Sequence, residues 1–349
     1  MVGHNKVALI TDTHFGLRKG SQIFHDYFED FYKNVFFPKL DELGIDTVIH
    51  LGDVFDVRKG IDYWSLAWSK RVFFDELSKR NIDTHIIVGN HDIFYKTSLK
   101  IHSPGLNLTE YPNITTYNEP QIVNIKGVDI CMIPWICEDN VDHFVTMLDS
   151  DHKAKLAMGH LEICGFYANQ NYQCTTGIDS TILSEFDRVF SGHFHKKNTT
   201  GNITYLGNPY QLYWNDEGDT RGFHIFDLGS LDLDFVPNPH KMYSKLYYND
   251  TKKQDIPVEE CKNNYIKLII EKSSDPKKLT KLVDQLYAVG IHDLKIIETF
   301  DVSIDDDIEI ESEDTLTSIG KYVYALEDSF NKESILDIMK SLYVESQEV

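Results

Sequence analysis

The chain has 349 residues, 42% of them hydrophobic, which is enough for two globular domains and a smaller third element. Its net charge of −21 argues against a uniformly basic nucleic-acid-binding surface, yet residues 301–349 alone carry 3 Lys against 14 Asp or Glu, a net −11. The first residues, MVGHNKVALITDTH, lack the sections of a signal peptide, no apolar run reaches membrane-spanning length, and five scattered cysteines without C-x-x-C spacing fit a reducing, cytoplasmic setting.

From the N-terminus, KVALITDTH predicts a buried strand ending at Asp12. An amphipathic helix follows in QIFHDYFEDFYKNVFFPKLDEL, with Phe24, Phe28, Phe31 and Val35 on one face and Pro38 kinking or ending its first section. DTVIHLGD is a second strand, YWSLAWSKRVFFDEL a second aromatic-rich helix and DTHIIVGNHD a third strand, with AKLAMGH, FDRVFSGHFH and NITYLGNPY further on. This alternation predicts an α/β fold over the first 210 or so residues. From about residue 238, NNYIKLIIEKSSDPKKLTKLVDQLYAVGIHDLKIIET predicts strand, helix and strand in a small α+β element. DVSIDDDIEIESEDT then predicts a solvated acidic linker over 301–314, and residues 315–349 two short helices whose apolar faces call for a partner.

Five predicted strands end on potential metal ligands: Asp12 and His14, Asp53, Asn90 and His91, His160, and His193 with His195. In open α/β folds ligands bind beyond the carboxyl ends of the strands, so these positions predict one shared site. The donors are oxygen and nitrogen with no cysteine, a set that suits Mn²⁺, Fe²⁺ or Zn²⁺. Seven ligands exceed one tetrahedral ion and suit two. A carboxylate can bridge and an imidazole cannot, which makes Asp53 the natural shared ligand, and two such ions can promote in-line displacement at phosphorus.

The series DTH…GD…GNHD…GH…GHFH resembles the calcineurin-like metallophosphoesterase superfamily. Within it, the spacing and GNPYQLYWNDEGDTRGFHIFD (207–227) resemble the nuclease subunits of SbcCD-type double-strand-break repair complexes, T-even bacteriophage members included. The resemblance covers roughly residues 5–250 and, beyond that, domain order only. It implies a metallophosphoesterase β-sandwich with flanking helices over 1–237, a capping domain over 238–300, the acidic linker, and a helical segment over 315–349 that docks on an ABC-type, SMC-like ATPase. It implies one metal held by Asp12, His14, Asp53 and His195, another by Asp53, Asn90, His160 and His193, with Mn²⁺ the expected ion and Mg²⁺ an alternative. It makes His91 the non-ligand catalytic histidine and Asp56, three residues past Asp53, the carboxylate that orients it, although some members carry a histidine near that position. Arg18, Lys19, Arg58, Lys59, Lys196 and Lys197 are candidate contacts to DNA phosphates, and Tyr210 and Gln211 to the substrate strand. The resemblance also implies a homodimer through the region of the aromatic helices near 22–43 and 61–79. The implied activity is 3′-to-5′ exonuclease action on duplex DNA and endonuclease action on single strands, in the host cytoplasm for a phage member. The competing readings are a small-molecule or nucleotide phosphoesterase, and an inactive scaffold for the ATPase.

Overall fold

The computed structural model describes residues 5–167, 173–253 and 255–298, together with helical Val323, Lys332, Ile335, Leu336, Ile338 and Met339. The acidic linker over 301–314 lies outside the described residues, as does most of the helical segment. Residues 1–299 form one compact unit and 300–349 a second.

Two six-stranded sheets build the first unit. The order in one is Leu233–Pro237, Gly222–Asp227, Lys6–Ile10, Thr47–His50, Asp83–Ile87 and Ile114–Tyr117; its last four strands are parallel. In the other it is Asn198–Thr200, Ile203–Tyr205, Arg188–Gly192, Leu156–His160, Val128–Ile133 and Gln121–Ile125, with a parallel centre and antiparallel edges.

The two-residue period of each strand sorts its side chains between layers. Val7 and Leu9 join Ile49, Leu51 and Ile87 against Met132, Leu156, Met158 and Phe190 of the second sheet, forming the seam of a sandwich. Ala8, Ile10, Val48 and Ile86 face the other way, onto the helices. The outer face of the second sheet, with Cys131, Ala157 and Val189, is covered by Phe144 and Met147 of the helix Val141–Leu148. The expected sandwich with flanking helices is therefore present.

Both aromatic helices form, each with one wide turn in its middle. The first runs Gln22–Phe31, Tyr32–Phe36 and Phe37–Leu43, and the Phe37 N–H reaches back five residues to the Tyr32 carbonyl. The widening falls just before Pro38, whose ring cannot share the regular ladder, so the helix bulges instead of ending there. The second runs Tyr63–Ser69, Lys70–Phe74 and Asp75–Lys79, with a matching bond from Asp75 N–H to the Lys70 carbonyl. The aromatic surplus noted in the sequence is consumed by the core: Phe24, Phe28, Phe31, Phe36, Phe73 and Phe74 are all buried. Only Tyr63 and Trp64 remain as exposed large apolar side chains of these two helices, at 90% and 56%.

The capping region has the predicted order. Strands Tyr243–Asn249, Tyr265–Lys272 and Asp293–Glu298 form a parallel three-stranded sheet, and the helix Pro276–Val289 is capped at its start by the Asp275 side chain. Leu282 and Leu286 of that helix pack on Leu246, Ile266, Leu268 and Ile270, covering one face of the sheet.

Candidate metal centre

The loops that leave the parallel strands hold their ligands in an uncommon backbone state. Asp12, His14, Asp53 and His193 adopt positive φ values of 53°, 45°, 54° and 84°. For a non-glycine residue this costs about 1–3 kcal/mol each, so the surroundings must enforce it. Here they do. Asp12 N–H donates to the Gly52 carbonyl (3.0 Å), His14 N–H to that of Asp53 (3.1 Å) and Phe15 N–H to that of Val54 (2.9 Å), tying the first two loops together rung by rung. The Thr13 hydroxyl donates to the Val54 carbonyl (3.1 Å) and accepts from His50 Nε2 (3.0 Å), while Gly52 N–H donates to His50 Nδ1 (3.2 Å). Glycine is required where the loops crowd: a Cβ on Gly89 would lie 2.2 Å from Asp53 Oδ1, and one on Gly52 2.5 Å from His160 Nδ1.

The seven expected ligands converge. The donor atoms of Asp12, His14 and His195 lie within 4.8 Å of one another, and so do those of Asp53, His160 and His193. Asn90 Oδ1 completes the second set, 2.9 Å from His160 Nε2 and 3.0 Å from His193 Nδ1. Asp53 Oδ2 stands 3.2 Å from His160 Nε2 and 3.8 Å from His14 Nε2, between the two sets. His14 Nε2 is 3.8–4.0 Å from the Asp53 and Asp12 carboxylates and, although buried, has no hydrogen-bond partner. A buried polar atom is rarely left that way, and an imidazole lone pair facing two carboxylates fits a shared divalent cation. An outer partner fixes the His160 ring, whose Nδ1 donates to the Leu51 carbonyl (2.7 Å), while the His193 backbone N–H donates to the Asp12 carboxylate (3.2 Å).

Electrostatics describes the same site from the proton side. Burial pushes Asp12 up to about 6, against the pull of His160. Burial alone would depress His14 and His160, but the carboxylates of Asp56 and Asp53 around the first, and of Asp53 and Asp12 around the second, raise both to about 9. Asp53 is held well below the usual carboxylate range by His160 and His91, in spite of its burial. His193 falls to about 3 and His195 also falls, through burial first and then the positive charge of His160 or His14. Protons on His14 and His160 balance the buried carboxylates, and a bound cation would displace them.

His91 lies at the rim of this cluster. Its backbone N–H donates to Asp53 Oδ1 (2.8 Å), and its Nδ1–H to the Asp56 carbonyl (2.6 Å), which fixes the tautomer. This corrects the expected role of Asp56: its backbone orients His91, while its carboxylate turns to His14 Nδ1 at 3.2 Å. Burial keeps the His91 pKa below its ordinary value, opposed by Asp53.

Of the expected substrate contacts, Arg18 and Lys19 are exposed, and the Arg18 guanidinium lies 5.9 Å over the Tyr213 ring, which is itself parallel to His195 at 6.3 Å. Lys59 is exposed, Lys196 half-buried, and Lys197 exposed with its Nζ 3.6 Å over Phe235. Arg58 donates from Nε to the Asn90 carbonyl (2.8 Å) and so braces a ligand loop. Tyr210 and Gln211 do not reach a substrate. Tyr210 is fully buried, stacked on Phe28 at 3.8 Å, and donates to the Thr13 carbonyl (2.6 Å). Gln211 is 4% exposed, and its Oε1 accepts from the N–H groups of Met242 and Tyr243 at 2.9 Å each.

Two supporting residues carry no ligand signature in the sequence. Asp92, the last residue of GNHD, is fully buried and accepts from Val54 N–H (3.0 Å), Phe55 N–H (3.2 Å) and Gly89 N–H (2.9 Å), clamping the second and third loops together. Arg221 is 5% exposed; it donates to the His195 carbonyl and Asn208 Oδ1 through Nη1, and to Asp216 Oδ1 (3.0 Å) through Nη2. Only its place beside GNPYQ hinted at Arg221.

The calcineurin-like phosphoesterase family matches residues 5–197, a span that contains every ligand. The chain belongs to that family. It is 32% identical over 307 residues to "Exonuclease subunit 1" of Enterobacteria phage T4, covering 87% of this chain and 88% of the relative. It is 26% identical over 242 residues to "DNA double-strand break repair protein Mre11" of Methanocaldococcus jannaschii, covering 64% and 63%, and 24% identical over 182 residues to "Putative phosphoesterase 244L" of Invertebrate iridescent virus 6, covering 50% and 62%. Membership and donor set together make this chain a metal-dependent phosphoester hydrolase.

Proposed function

We propose that this phosphoesterase is a DNA nuclease, the hydrolytic subunit of a repair or recombination complex. The observation that carries the reading is Asp53: one carboxylate oxygen stands between the two histidine sets while the other accepts the backbone N–H of His91, so metal sites and candidate proton donor share one residue. The names of the phage and archaeal relatives supply the substrate class.

Asp12, His14, Asp53 and His195 would hold one divalent ion, and Asp53, Asn90, His160 and His193 the other. Mn²⁺ suits this mixed nitrogen and oxygen set. When bound, the ions would supply Lewis-acid polarisation of a phosphoryl group and activation of a water. The chain's own part is positional. The loop ladder between residues 12–15 and 52–54 keeps ligand spacing fixed, and Asp92 holds the Gly89–Asn90 turn against it. His91 keeps one proton on Nδ1, bound to the Asp56 carbonyl, so the proton for the leaving 3′ oxygen would come from Nε2 of the doubly protonated ring, which returns to the neutral Nδ1–H form. Removal of nucleotides from 3′ ends of duplex DNA and cleavage of single strands is the proposed activity. The proposed partner is an ABC-type, SMC-like ATPase bound through residues 315–349. Homodimer contact would fall to exposed Tyr63 and Trp64.

The test is hydrolysis of linear duplex DNA labelled at its 3′ ends, with Mn²⁺, with Mg²⁺ and after chelation, with and without the ATPase subunit. Mononucleotide release that needs a divalent ion and is lost in Asp53→Ala supports the reading. Turnover of nucleotides or a small phosphodiester, with DNA intact under every condition, would replace it with a small-molecule phosphoesterase.

A further inference from the structure

The capping sheet has one face covered by its helix and one open, and the open face carries an unusual row. Lys245, Lys267 and Lys295 are direct register partners across the three parallel strands, Lys245 opposite Lys267 and Lys267 opposite Lys295. Adjacent strands lie about 4.8 Å apart, so the three Cα atoms span about 10 Å. Like charges set directly opposite one another destabilise a sheet. Local structure offsets only part of this. The Lys245 ammonium pairs with Glu217 (3.2 Å), Lys267 lies 4.1 Å over the Trp214 ring, and Lys295 has no carboxylate partner among the described residues. Beyond the lysines the face continues with Tyr247, 50% exposed, Ile269 and Ile297; on the other side Tyr243 and Tyr265 pack into the layer between the first sheet and the aromatic helices, and Asp293 adds one negative charge at the corner.

The row is linked to the metal centre through two neighbouring aromatic residues. Trp214, under Lys267, follows Tyr213, whose ring is parallel to the His195 ligand. The chain as a whole has a charge of −21, and against that background the three aligned lysines, set against Glu217 and Asp293, leave this face with a positive excess.

We propose that this open face binds the phosphate backbone of DNA engaged at the metal centre, with Lys245, Lys267 and Lys295 contacting phosphates and Tyr247 contributing aromatic surface. A strand of B-DNA carries one phosphate per about 3.4 Å of axis, so a row about 10 Å long meets up to three of them. The proposal rests on DNA being the substrate, and it extends that reading to a surface outside the metal loops.

The test measures binding of a fluorescent duplex and of a single strand to the full chain in chelator, which prevents cleavage, over a series of sodium chloride concentrations. The triple variant K245Q/K267Q/K295Q is compared with wild type and with K245R/K267R/K295R. The glutamine variant should show a log affinity against log salt slope shallower by about 0.9 per lost contact on duplex, or about 2–3 in all, while the arginine variant keeps the wild-type slope. Thermal unfolding should not fall in the glutamine variant, since it removes repulsion. A slope and affinity unchanged by the glutamines, in protein that melts like wild type, overturns the proposal. Cleavage of labelled DNA is followed separately: wild type that cleaves DNA with a lysine-independent slope sinks this surface alone, and lysine-dependent binding without any cleavage sinks the nuclease reading alone. Turnover of bis-p-nitrophenyl phosphate, too short to reach the sheet, reports whether the metal centre survives the substitutions.

Discussion

The two sheets of the sandwich bring unlike chemistry to their common edge. The first supplies both carboxylates and the amide, Asp12, Asp53 and Asn90, together with His14; the second supplies imidazoles alone, His160, His193 and His195. Their backbones differ too. Three of the four ligands at positive φ follow strands of the first sheet, and their loops are stitched by the backbone ladder, the Thr13–His50 pair and the Asp92 clamp. On the second sheet His160 is the final residue of a regular strand, and the His195 carbonyl is steadied from outside by Arg221. The contrast teaches that neither sheet is a metal site by itself. One would bury two carboxylates with only His14 to oppose them and the other would gather neutral rings, and the cross-seam pairs, such as His160 to Asp53 at 3.2 Å, exist only when the sheets meet.

Breaking the acidic half should have the largest effect. Asp53→Ala is expected to abolish retention of both ions and to lower hydrolysis by at least about 10³-fold, because metal charge stabilisation is worth several kcal/mol. His193→Ala removes a ligand from one set only and should leave one ion bound; metal content by emission spectroscopy checks both. His91→Gln should leave metal content unchanged and slow hydrolysis by about 10²-fold or more, the usual contribution of a positioned proton donor, measured at saturating substrate. Asp92→Asn keeps the shape of the clamp but loses an acceptor, and a drop of about 10-fold to 100-fold in metal affinity, with a lower melting temperature, is expected. The histidine charges on both sides of the seam can be tested by pH. His14 and His160 are raised to about 9 from an ordinary 6.5, so in chelated protein their contribution to stability is complete below 6.5 and is lost as pH rises through 9. The melting temperature of metal-free protein should therefore fall on the alkaline side, and added Mn²⁺ should flatten that fall.

The candidate ligand set was legible because each member lies at or just past a strand end and the glycines beside them announce close turns. Spacing places a residue at a strand end but does not say where its side chain turns. Asp56 shows this: its position beside Asp53 fitted a partner for His91, yet the carboxylate serves His14 and only the carbonyl serves His91. Tyr210 and Gln211 sit in a segment that approaches the centre, but both point into the core. The lysine row was hidden for another reason. Lys245, Lys267 and Lys295 stand 22 and 28 residues apart, and only the register of parallel strands joined by long connections makes them neighbours.

The two wide turns at Tyr32–Phe36 and Lys70–Phe74 mark where each helix can absorb a change in the length of the coding sequence. Each accommodates one residue more than a regular helix would, and each is followed by aromatics packed inside: Phe37 directly after the first, Phe73 and Phe74 closing the second. An in-frame loss of one codon within either turn would restore regular winding and leave those rings in register, whereas the same loss in a regular part of the helix would swing everything downstream by about 100°. A one-residue change in length is thus absorbed at the wide turns, while elsewhere in these helices it would displace buried aromatic rings.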